Sequence, residues 1–584
     1  MSKKDKRYAI SNDANDNIVK HDTVEAEGGQ PLTRRDFLVK GAAVGLSLPM
    51  AKEILTGRTS RLVSFAGARS LPRSRGSSDV ISPKGIIVGL DSDIDTLDPI
   101  SFRSDAAYDV TFNVYEESVS NAVKMVNGIS QGIAGSLVPS VASAYSIAPG
   151  STVYKFTVRP GVKFSNGTPV TADTFKYSYL RALEGPGYAS LMMGLLTVAH
   201  PDQLVVTGPM SFEIHLAKPN PLGTRIVPMP TLTVMDPTLA AQEATKKDPW
   251  AANYFRTHMM ATGPYVQGTT WESGNQYLLS PNPLYWNRAM VRNAGVLMKY
   301  LPDPVDRALL LEQGSIDIAL GLPASKLHQL EGAKGVHLIN VPSRDWNYLA
   351  FNTTMAPFND PLVRQAIAYA IPYDALVKDA MYGFASPLKG IICSGTPTLN
   401  ESLWPYTTDY AKAKSLLAAA GKADGFSTTL SVSVSREDFV QVATYIQASL
   451  KQVGIQATIN QLSDAVFGAK QSAGELPMAI NDWYSWVDDP FYQMFWLLDS
   501  ANTSGTNVAK YSDPTMDSLI KTGFYETDEA KRNLISGEVQ ARYAAEVPYI
   551  GLFSENLSFA MGSDISGLLL EPDAHCRLWG VTKS

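Results

Sequence analysis

Hydrophobic and polar residues alternate in short stretches of this chain, in a pattern typical of strands with one buried face. Residues 152–159 alternate apolar with polar side chains, which predicts a half-buried strand. Thr171 is a favourable N-cap, and Phe175, Tyr179 and Leu183 follow it at helical spacing, which predicts a helix. The chain therefore combines strands with helices.

A strand, a helix and a second strand are predicted in succession further along the chain. Residues 429–435 and 455–460 alternate as strands, and Phe439, Val442 and Ile446 lie between them at helical spacing. Two strands joined by one helix form a right-handed βαβ unit. This unit predicts a parallel sheet and an α/β fold.

The most unusual stretch is an aromatic run at residues 483–496. Seven of these fourteen residues are aromatic, against 9% of the whole chain, and Asp488 and Asp489 lie in its middle. The run follows a third predicted strand, residues 476–481, and ligands bind at such strand ends in open α/β sheets. Aromatic faces with a nearby carboxylate suit the wall of a ligand pocket, although a buried helix flank would have the same composition.

The aromatic run divides into a predicted loop and a predicted helix. Asp489 followed by Pro490 is typical of an N-cap and a first helical position, which predicts that Phe495 and Trp496 lie in the core. Asp488 has no capping role, so it is either a pocket residue or a solvated loop carboxylate. The residues of the loop that we predict to bind ligand are Trp483, Tyr484, Trp486 and Asp488.

Size and composition limit the class of protein. The chain has 584 residues, of which 45% are hydrophobic and 18% charged, so a soluble protein of more than one lobe is expected. Its net charge of -6 gives no reason to expect a nucleic acid partner. The seven histidines are scattered without metal-ligand spacing, so neither a metal nor another cofactor is predicted. Cys393 and Cys576 are expected to be buried thiols, with a disulfide as the alternative.

The N-terminal region resembles an export signal. Residues 33–38 read TRRDFL and precede a moderately apolar run at 41–50, which is too short to span a membrane. This pattern is similar to a twin-arginine signal. We expect residues 1–68 to be the signal and leader, with cleavage after the small residues 66–68, and residues 69–84 to be a linker. The mature protein would then be periplasmic.

An ordered series of motifs along the mature chain resembles one protein family. The series begins with RPGVKFSNGTPVTADTFKYS at residues 159–178, and its later members are TGPY at 262–265, NPLYW at 282–286, YLAFN at 348–352, PFND at 357–360 and VRQA at 363–366. Such motifs resemble those of the family 5 extracellular solute-binding proteins, which supply dipeptide, oligopeptide and nickel ABC importers. An ordered series is more specific than any single motif.

The resemblance implies a two-lobed periplasmic-binding-protein fold with mixed α/β sheets. The first lobe would comprise residues 85–345 and 553–584, with an extra β-rich subdomain near 120–245, and the second lobe residues 346–552. Chain crossings near 346–352 and 550–556 would allow hinged closure around a solute. Trp346 and Asn347, beside the first crossing, are further predicted ligand-binding residues. The implied partners are a small solute and a membrane ABC permease, and a monomer is expected.

One position departs from the family pattern and leaves the ligand open. Peptide-binding members read Trp-x-x-Asp-x-x-Asp-Pro, and their first Asp holds the α-ammonium group of the ligand, whereas this chain has Trp486 there. One hypothesis is a ligand without a free α-amine, such as a modified peptide, an opine-like or sugar-containing compound or a metal chelate. The other is that Asp488 restores amine recognition.

Two other classes of function remain as alternatives. A secreted glycosidase-like hydrolase would need two acids on opposite faces of a sugar, which adjacent Asp488 and Asp489 do not provide, and motifs of serine hydrolases and zinc proteases are absent from the sequence. An enzyme is therefore not predicted. A chaperone-like binder of extended polypeptide would share the fold.

Overall fold

The computed structural model describes residues 81–584 except 102, 103 and 127. The predicted export signal, its cleavage site and most of the predicted linker lie outside the described residues. No helix in the described part of the chain is long and apolar enough to cross a bilayer.

A seven-stranded mixed sheet forms the centre of the first lobe. Its middle strand pairs in parallel with both neighbours, and the outer strands pair antiparallel. In spatial order the strands are β12 (Val336–Val341), β19 (Leu557–Gly562), β11 (Ile318–Ala319), β1 (Ile86–Leu90), β10 (Val296–Tyr300), β9 (Gln276–Pro281) and β8 (Tyr265–Glu272).

A six-stranded sheet forms the centre of the second lobe. In spatial order it contains β14 (Ala385–Pro387), β18 (Tyr549–Glu555), β13 (Asp345–Phe351), β17 (Met478–Tyr484), β15 (Phe426–Ser433) and β16 (Ile455–Leu462). Strands β15 and β16 are parallel and joined through the helix Glu437–Lys451, so the predicted βαβ unit is confirmed.

Three smaller sheets extend the first lobe. One contains β2 (Val119–Val126), β3 (Ile129–Pro139), β21 (Leu569–Leu570) and β22 (Cys576–Arg577), so the C-terminal region is attached to an early hairpin. Another contains β4 (Ala142–Ile147), β5 (Val153–Val158), β7 (Ser211–His215) and β6 (Leu204–Gly208), and the last pairs β20 (Ile565–Ser566) with β23 (Thr582–Lys583).

The α-helices cover the faces of these sheets. In chain order they are α1 (Asp105–Thr111), α2 (Ala172–Glu184), α3 (Ala189–Leu195), α4 (Gly223–Ile226), α5 (Pro237–Glu243), α6 (Ala252–Phe255), α7 (Pro304–Glu312), α8 (Ala324–Leu330), α9 (Pro361–Ala370), α10 (Tyr373–Ala375), α11 (Tyr410–Ala419), α12 (Glu437–Lys451), α13 (Asp464–Ala473), α14 (Pro490–Leu498), α15 (Pro514–Tyr525) and α16 (Glu529–Glu546).

Local patterns in the sequence located several of these elements. The strand predicted at 152–159 is β5, and the helix predicted after Thr171 is α2. The Thr174 hydroxyl accepts a hydrogen bond from the Thr171 N–H at 3.1 Å, which ties the first turn of α2 to its cap. Cys393 and Cys576 are buried free thiols, as expected.

The chain crosses between the two large sheets at residues 342–344 and at Asn556. These are the residues between β12 and β13 and between β18 and β19. The predicted crossing at 346–352 is therefore wrong, because most of it is β13, which is hydrogen-bonded on both sides within the second sheet. For the same reason Asp345 and residues 553–555 lie in the second sheet, although we predicted them in the first lobe.

A buried ion pair fixes the loop after β1 to α2 within the first lobe. Both Nη atoms of Arg181 donate to the two carboxylate oxygens of Asp98, at 2.8 and 2.7 Å, and both side chains are almost fully buried. The Arg181 Nε also donates to the Trp250 carbonyl at 3.1 Å. Removing one charge of such a pair leaves the other uncompensated in the interior.

Asp98→Ala should therefore lower the free energy of unfolding of the first lobe by about 3–5 kcal/mol, measured by denaturant titration. Glu213→Ala is the control, because it breaks a pair with the half-exposed Lys155 and should cost only about 0–1 kcal/mol. Equal losses in the two variants would contradict a dominant role for the buried pair.

Candidate functional site

A cavity of about 460 Å³ lies between the two lobes. Its walls come from loops, α1, β2 and β3 of the first lobe, from the segment after β15 and the end of β17 in the second lobe, and from the crossing segments. The arrangement agrees with the expectation that ligand meets this sheet at the ends of its strands.

The aromatic run enters the cavity wall through alternate residues. Strand β17 extends to Tyr484, so Trp483 and Tyr484 lie within the strand and the prediction that both lie on the loop is wrong. Side chains of a strand alternate between faces, and Asp482 and Tyr484 line the cavity while Trp483 is 5% exposed and packs in the core. The strand is longer than predicted because Trp483 and Tyr484 remain in register with β13.

Trp346 and Asn347, the other two predicted residues on this sheet, do not line the cavity. Trp346 is fully buried, and its Nε1 donates to the Gly390 carbonyl at 3.2 Å. Asn347 is also buried, and its Nδ2 donates to Asp345 Oδ2 at 2.9 Å. Since Asp345 does line the cavity, Asn347 can affect a ligand by orienting that carboxylate.

Trp486 joins the two lobes through aromatic contacts. Its ring lies edge-on to Tyr188 and Tyr108 of the first lobe, with centroid separations of 5.0 and 6.0 Å. Tyr108 in turn stacks on His575 at 4.9 Å. Edge-to-face contacts contribute about 0.5–1.5 kcal/mol each, so Trp486 favours the arrangement in which the lobes meet.

Asp488 and Asp489 have different surroundings although they are adjacent. Asp489 is the N-cap of α14, accepting from the Phe491 N–H at 2.9 Å, and it pairs with Arg532 at 2.6 Å. Asp488 lines the cavity, and its Oδ2 lies 3.7 Å from Arg344 Nη1. Within the described residues its other oxygen, Oδ1, is buried without a hydrogen-bond partner. That oxygen is available to a ligand donor.

Tyr484 holds the C-terminal region of the chain against the second lobe. Its hydroxyl donates to the Pro572 carbonyl at 2.9 Å, and the Arg344 guanidinium donates to the same carbonyl. Burial raises the pKa of Tyr484 well above its usual value, so the hydroxyl remains a donor across the physiological range. Residues on either side of the cleft are thus linked through one backbone oxygen.

The charged lining of the cavity is predominantly acidic. Ten carboxylate side chains face four guanidinium groups, those of Arg225, Arg307, Arg344 and Arg436. Arg436 lies 3.1 Å from Asp438, 3.4 Å from Asp482 and 3.5 Å from Glu555. Burial lowers the pKa of Arg436, but these three carboxylates raise it well above its usual value overall. A cationic group on a ligand would therefore be favoured.

Sequence reasoning missed the cavity arginines and most of the carboxylates. They come from many separate segments, and none belongs to a recognisable motif. The only local signal for Arg436 is that it directly follows a predicted strand, residues 429–435. The aromatic run also follows a predicted strand. Within residues 81–584 as described, no group of three or more acidic, histidine or cysteine side chains is arranged to hold a metal ion.

A buried carboxylate lies directly behind the cavity wall. Glu571 precedes the lining residue Pro572, and Asn121 Nδ2 donates to its Oε2 at 3.2 Å. Burial raises the pKa of Glu571 to about 7, although Arg577 opposes this shift. Its charge therefore changes near neutral pH.

Comparison with known proteins identifies the family. The family model described as bacterial extracellular solute-binding proteins, family 5, matches residues 136–505. The glutathione-binding protein GsiB of Salmonella typhi is 27% identical over 520 residues, covering 87% of this chain and 96% of that protein. The probable D,D-dipeptide-binding periplasmic protein DdpA of Escherichia coli K12 is 26% identical over 494 residues, covering 83% and 92%.

Solved structures share the fold. The periplasmic binding protein DppA of Helicobacter pylori, in complex with the peptide STSA, superposes with a TM-score of 0.70 at 23% identity. The match covers 85% of this chain and 98% of that one. The two-lobed α/β architecture is therefore that of periplasmic binding proteins.

Glu571→Gln should change how stability depends on pH. The carboxyl pKa is near 4.5 in the unfolded chain and about 7 in the fold, so wild type loses stability as pH rises from 4.5 through 7. The glutamine side chain of the variant does not ionise in this pH range. At pH 8 its free energy of unfolding should exceed that of wild type by up to about 3 kcal/mol, which a higher melting temperature would show. This difference in melting temperature should shrink towards pH 5.

The control for this pH experiment is Glu243→Gln, at an exposed position, which should follow wild type throughout. A difference in melting temperature between Glu571→Gln and wild type that stays constant from pH 5 to pH 8 would contradict the assignment of a buried charge to Glu571.

Proposed function

We propose that this chain, which belongs to the bacterial extracellular solute-binding proteins of family 5, binds a small peptide-like solute with a free amine and delivers it to an ABC permease. The observation that carries this proposal is Asp488, a cavity carboxylate with one buried oxygen that has no partner in the described part of the chain. Glutathione and a D,D-dipeptide appear in the names of the two relatives compared above.

Amine recognition by Asp488 is favoured over a ligand without an amine. An ammonium group forms charge-assisted hydrogen bonds with carboxylate oxygens, and Asp488 Oδ1 can accept one without breaking an existing bond. Arg344 reaches only the other oxygen, at 3.7 Å. The excess of carboxylates over guanidinium groups in the lining attracts the same charge. Trp486, which replaces the usual aspartate, supplies an aromatic wall beside this position.

Delivery would follow from hinged closure. The lobes are joined at residues 342–344 and at Asn556, and the cavity between them is lined by both. A ligand stabilises the closed form only through contacts that both lobes make at once. Micromolar affinity corresponds to about 8 kcal/mol, which an ion pair at Asp488 together with aromatic burial can supply without covalent chemistry.

A hydrolase is the less favoured alternative. Asp489 is committed to the cap of α14 and to Arg532, so the adjacent acids do not form a general acid and base pair. The related proteins are named for binding. Periplasmic location, the twin-arginine route and a monomeric state belong to the same proposal, and the export signal-like residues 33–38 support the first two.

The assignment of the amine predicts a difference between two probes, trialanine and N-acetyl-trialanine. Wild type should bind trialanine at least about tenfold more tightly in calorimetry, a difference of about 1.4 kcal/mol, because acetylation removes the charge that Asp488 recognises. Asp488→Asn should bring the two affinities together by weakening trialanine. Trp486→Ala should weaken both probes alike.

Asp374→Asn is the matched control, since the Asp374 side chain is 93% exposed and outside the cavity. Equal affinity of wild type for the acetylated and free peptides would contradict amine recognition. It would favour the other hypothesis, a ligand without a free α-amine.

A further inference from the structure

From the first-lobe wall of the cavity we infer a second ligand subsite, built from Arg225, Thr231 and Asn121, which binds a carboxylate and the amide N–H beside it. All three residues line the same cavity as Asp488. The identity of the group as a peptide terminus rests on the proposed function. The anion-binding property rests on Arg225 and Thr231 alone.

Two of the cavity arginines, Arg225 and Arg307, form no ion pair with a carboxylate within the described residues, and Arg225 is the more exposed of the two. The Nη1 of Arg225 makes one long hydrogen bond of 3.4 Å to the Pro221 carbonyl, and its Nε is buried without a partner among the residues that the structure describes. Arg344 instead lies beside Asp488, and Arg436 beside three carboxylates. A guanidinium group presents paired donors that match a carboxylate.

The remaining cavity arginine, Arg307, is held by the backbone. Its Nη1 and Nη2 donate to the carbonyls of Leu301 and Gly321, the second at 2.9 Å. The side chain is 2% exposed, so it is fixed in the wall. Arg225 is only half-buried, which leaves its charged end accessible from the cavity.

The backbone of β3 makes room for this guanidinium. The pairing of β2 with β3 shifts register between Asn121 and Ala122, and Gly135 lies in the resulting bulge with φ of +76°. A Cβ at Gly135 would come within 3.3 Å of Arg225 Cγ and 3.5 Å of its Cζ. The positive φ favours glycine there, and the close approach of Arg225 leaves little space for a Cβ.

Two further polar atoms of first-lobe residues in the cavity lining lack partners within the described structure. Thr231 is 3% exposed, and its hydroxyl makes no hydrogen bond within the described structure. Asn121 donates through Nδ2 to Glu571, whereas its Oδ1 is buried and unbonded. Buried polar groups without partners are rare because each costs free energy. Bound ligand would satisfy these atoms.

The combination of donors and acceptor defines the chemistry of the group that fits. The Arg225 guanidinium and the Thr231 hydroxyl donate to oxygens, while Asn121 Oδ1 accepts from an N–H. A terminal carboxylate preceded by an amide has these functions in adjacent positions. Because Asp488 belongs to the second lobe and Arg225 to the first, a solute with an amine at one end and a carboxylate at the other would contact both lobes.

The direct test compares trialanine with its C-terminal amide by calorimetry, using the full chain. Wild type should bind the acid at least tenfold more tightly than the amide. Arg225→Gln should remove this preference by weakening only the acid, Arg225→Lys should keep part of it, and Arg288→Gln, at an exposed position outside the cavity, should keep all of it. An acid preference that survives in Arg225→Gln, or its absence in wild type, would overturn the peptide-terminus assignment.

A second measurement tests the anion subsite independently of any peptide. Crystals of wild type soaked in bromide should give an anomalous peak at the Arg225 guanidinium, and crystals of Arg225→Gln should not. The absence of a peak in wild type would overturn the anion subsite. If neither trialanine nor its amide binds while bromide does, the peptide ligand of the proposed function fails and the anion subsite stands.

Discussion

The first segment that joins the lobes, residues 342–344, is hydrogen-bonded to the end of β18, directly before the second crossing at Asn556, and the geometry of the site depends on this contact. The Ser554 hydroxyl donates to the Ser343 carbonyl at 3.2 Å, and the Ser343 hydroxyl donates to the Glu555 carbonyl. The Asp345 N–H donates to the Ser343 hydroxyl at 2.9 Å. These bonds hold the first crossing beside the start of the second, and Arg344 and Asp345 line the cavity at this position. A ligand that contacts these residues acts directly at the axis of closure.

Ion pairs with Arg436 explain how several carboxylates can lie close together in the wall of one cavity. Arg436 compensates carboxylates from the first turn of α12, from β17 and from the end of β18, so it binds together three segments of the cavity wall. Asp488 retains an oxygen without a partner in the described structure, and Arg225 retains its Nε, as Arg307 and Arg344 also do. We assign Asp488 and Arg225 to opposite ends of the ligand, because unsatisfied buried polar atoms in a cleft recover their lost hydrogen bonds when a complementary solute binds.

Sequence patterns predicted the elements that depend on local physics. The βαβ unit, the capping of α2 and the Asp489 cap of α14 follow from side-chain periodicity and from hydrogen bonds between residues a few positions apart. The orientation of Trp483 could not be predicted from a strand that ends at residue 481, since only residues within a strand alternate between its faces and β17 continues to Tyr484. Tyr484, Trp486 and Asp488 do line the cavity, but their role in binding ligand stays a prediction.

Residues distant in sequence were beyond such reasoning. Arg225 packs against Gly135 in the bulge of β3, and Arg344 enters the site because the crossing lies at residues 342–344 instead of 346–352. The central claim is that the two lobes close on an unmodified solute with an amine and a carboxylate. Mass spectrometry of the solute released by denaturing protein purified from exporting cells tests it most directly. We predict an intact peptide-like compound carrying both groups, and recovery of a compound without an amine, or of hydrolysis products, would contradict the account.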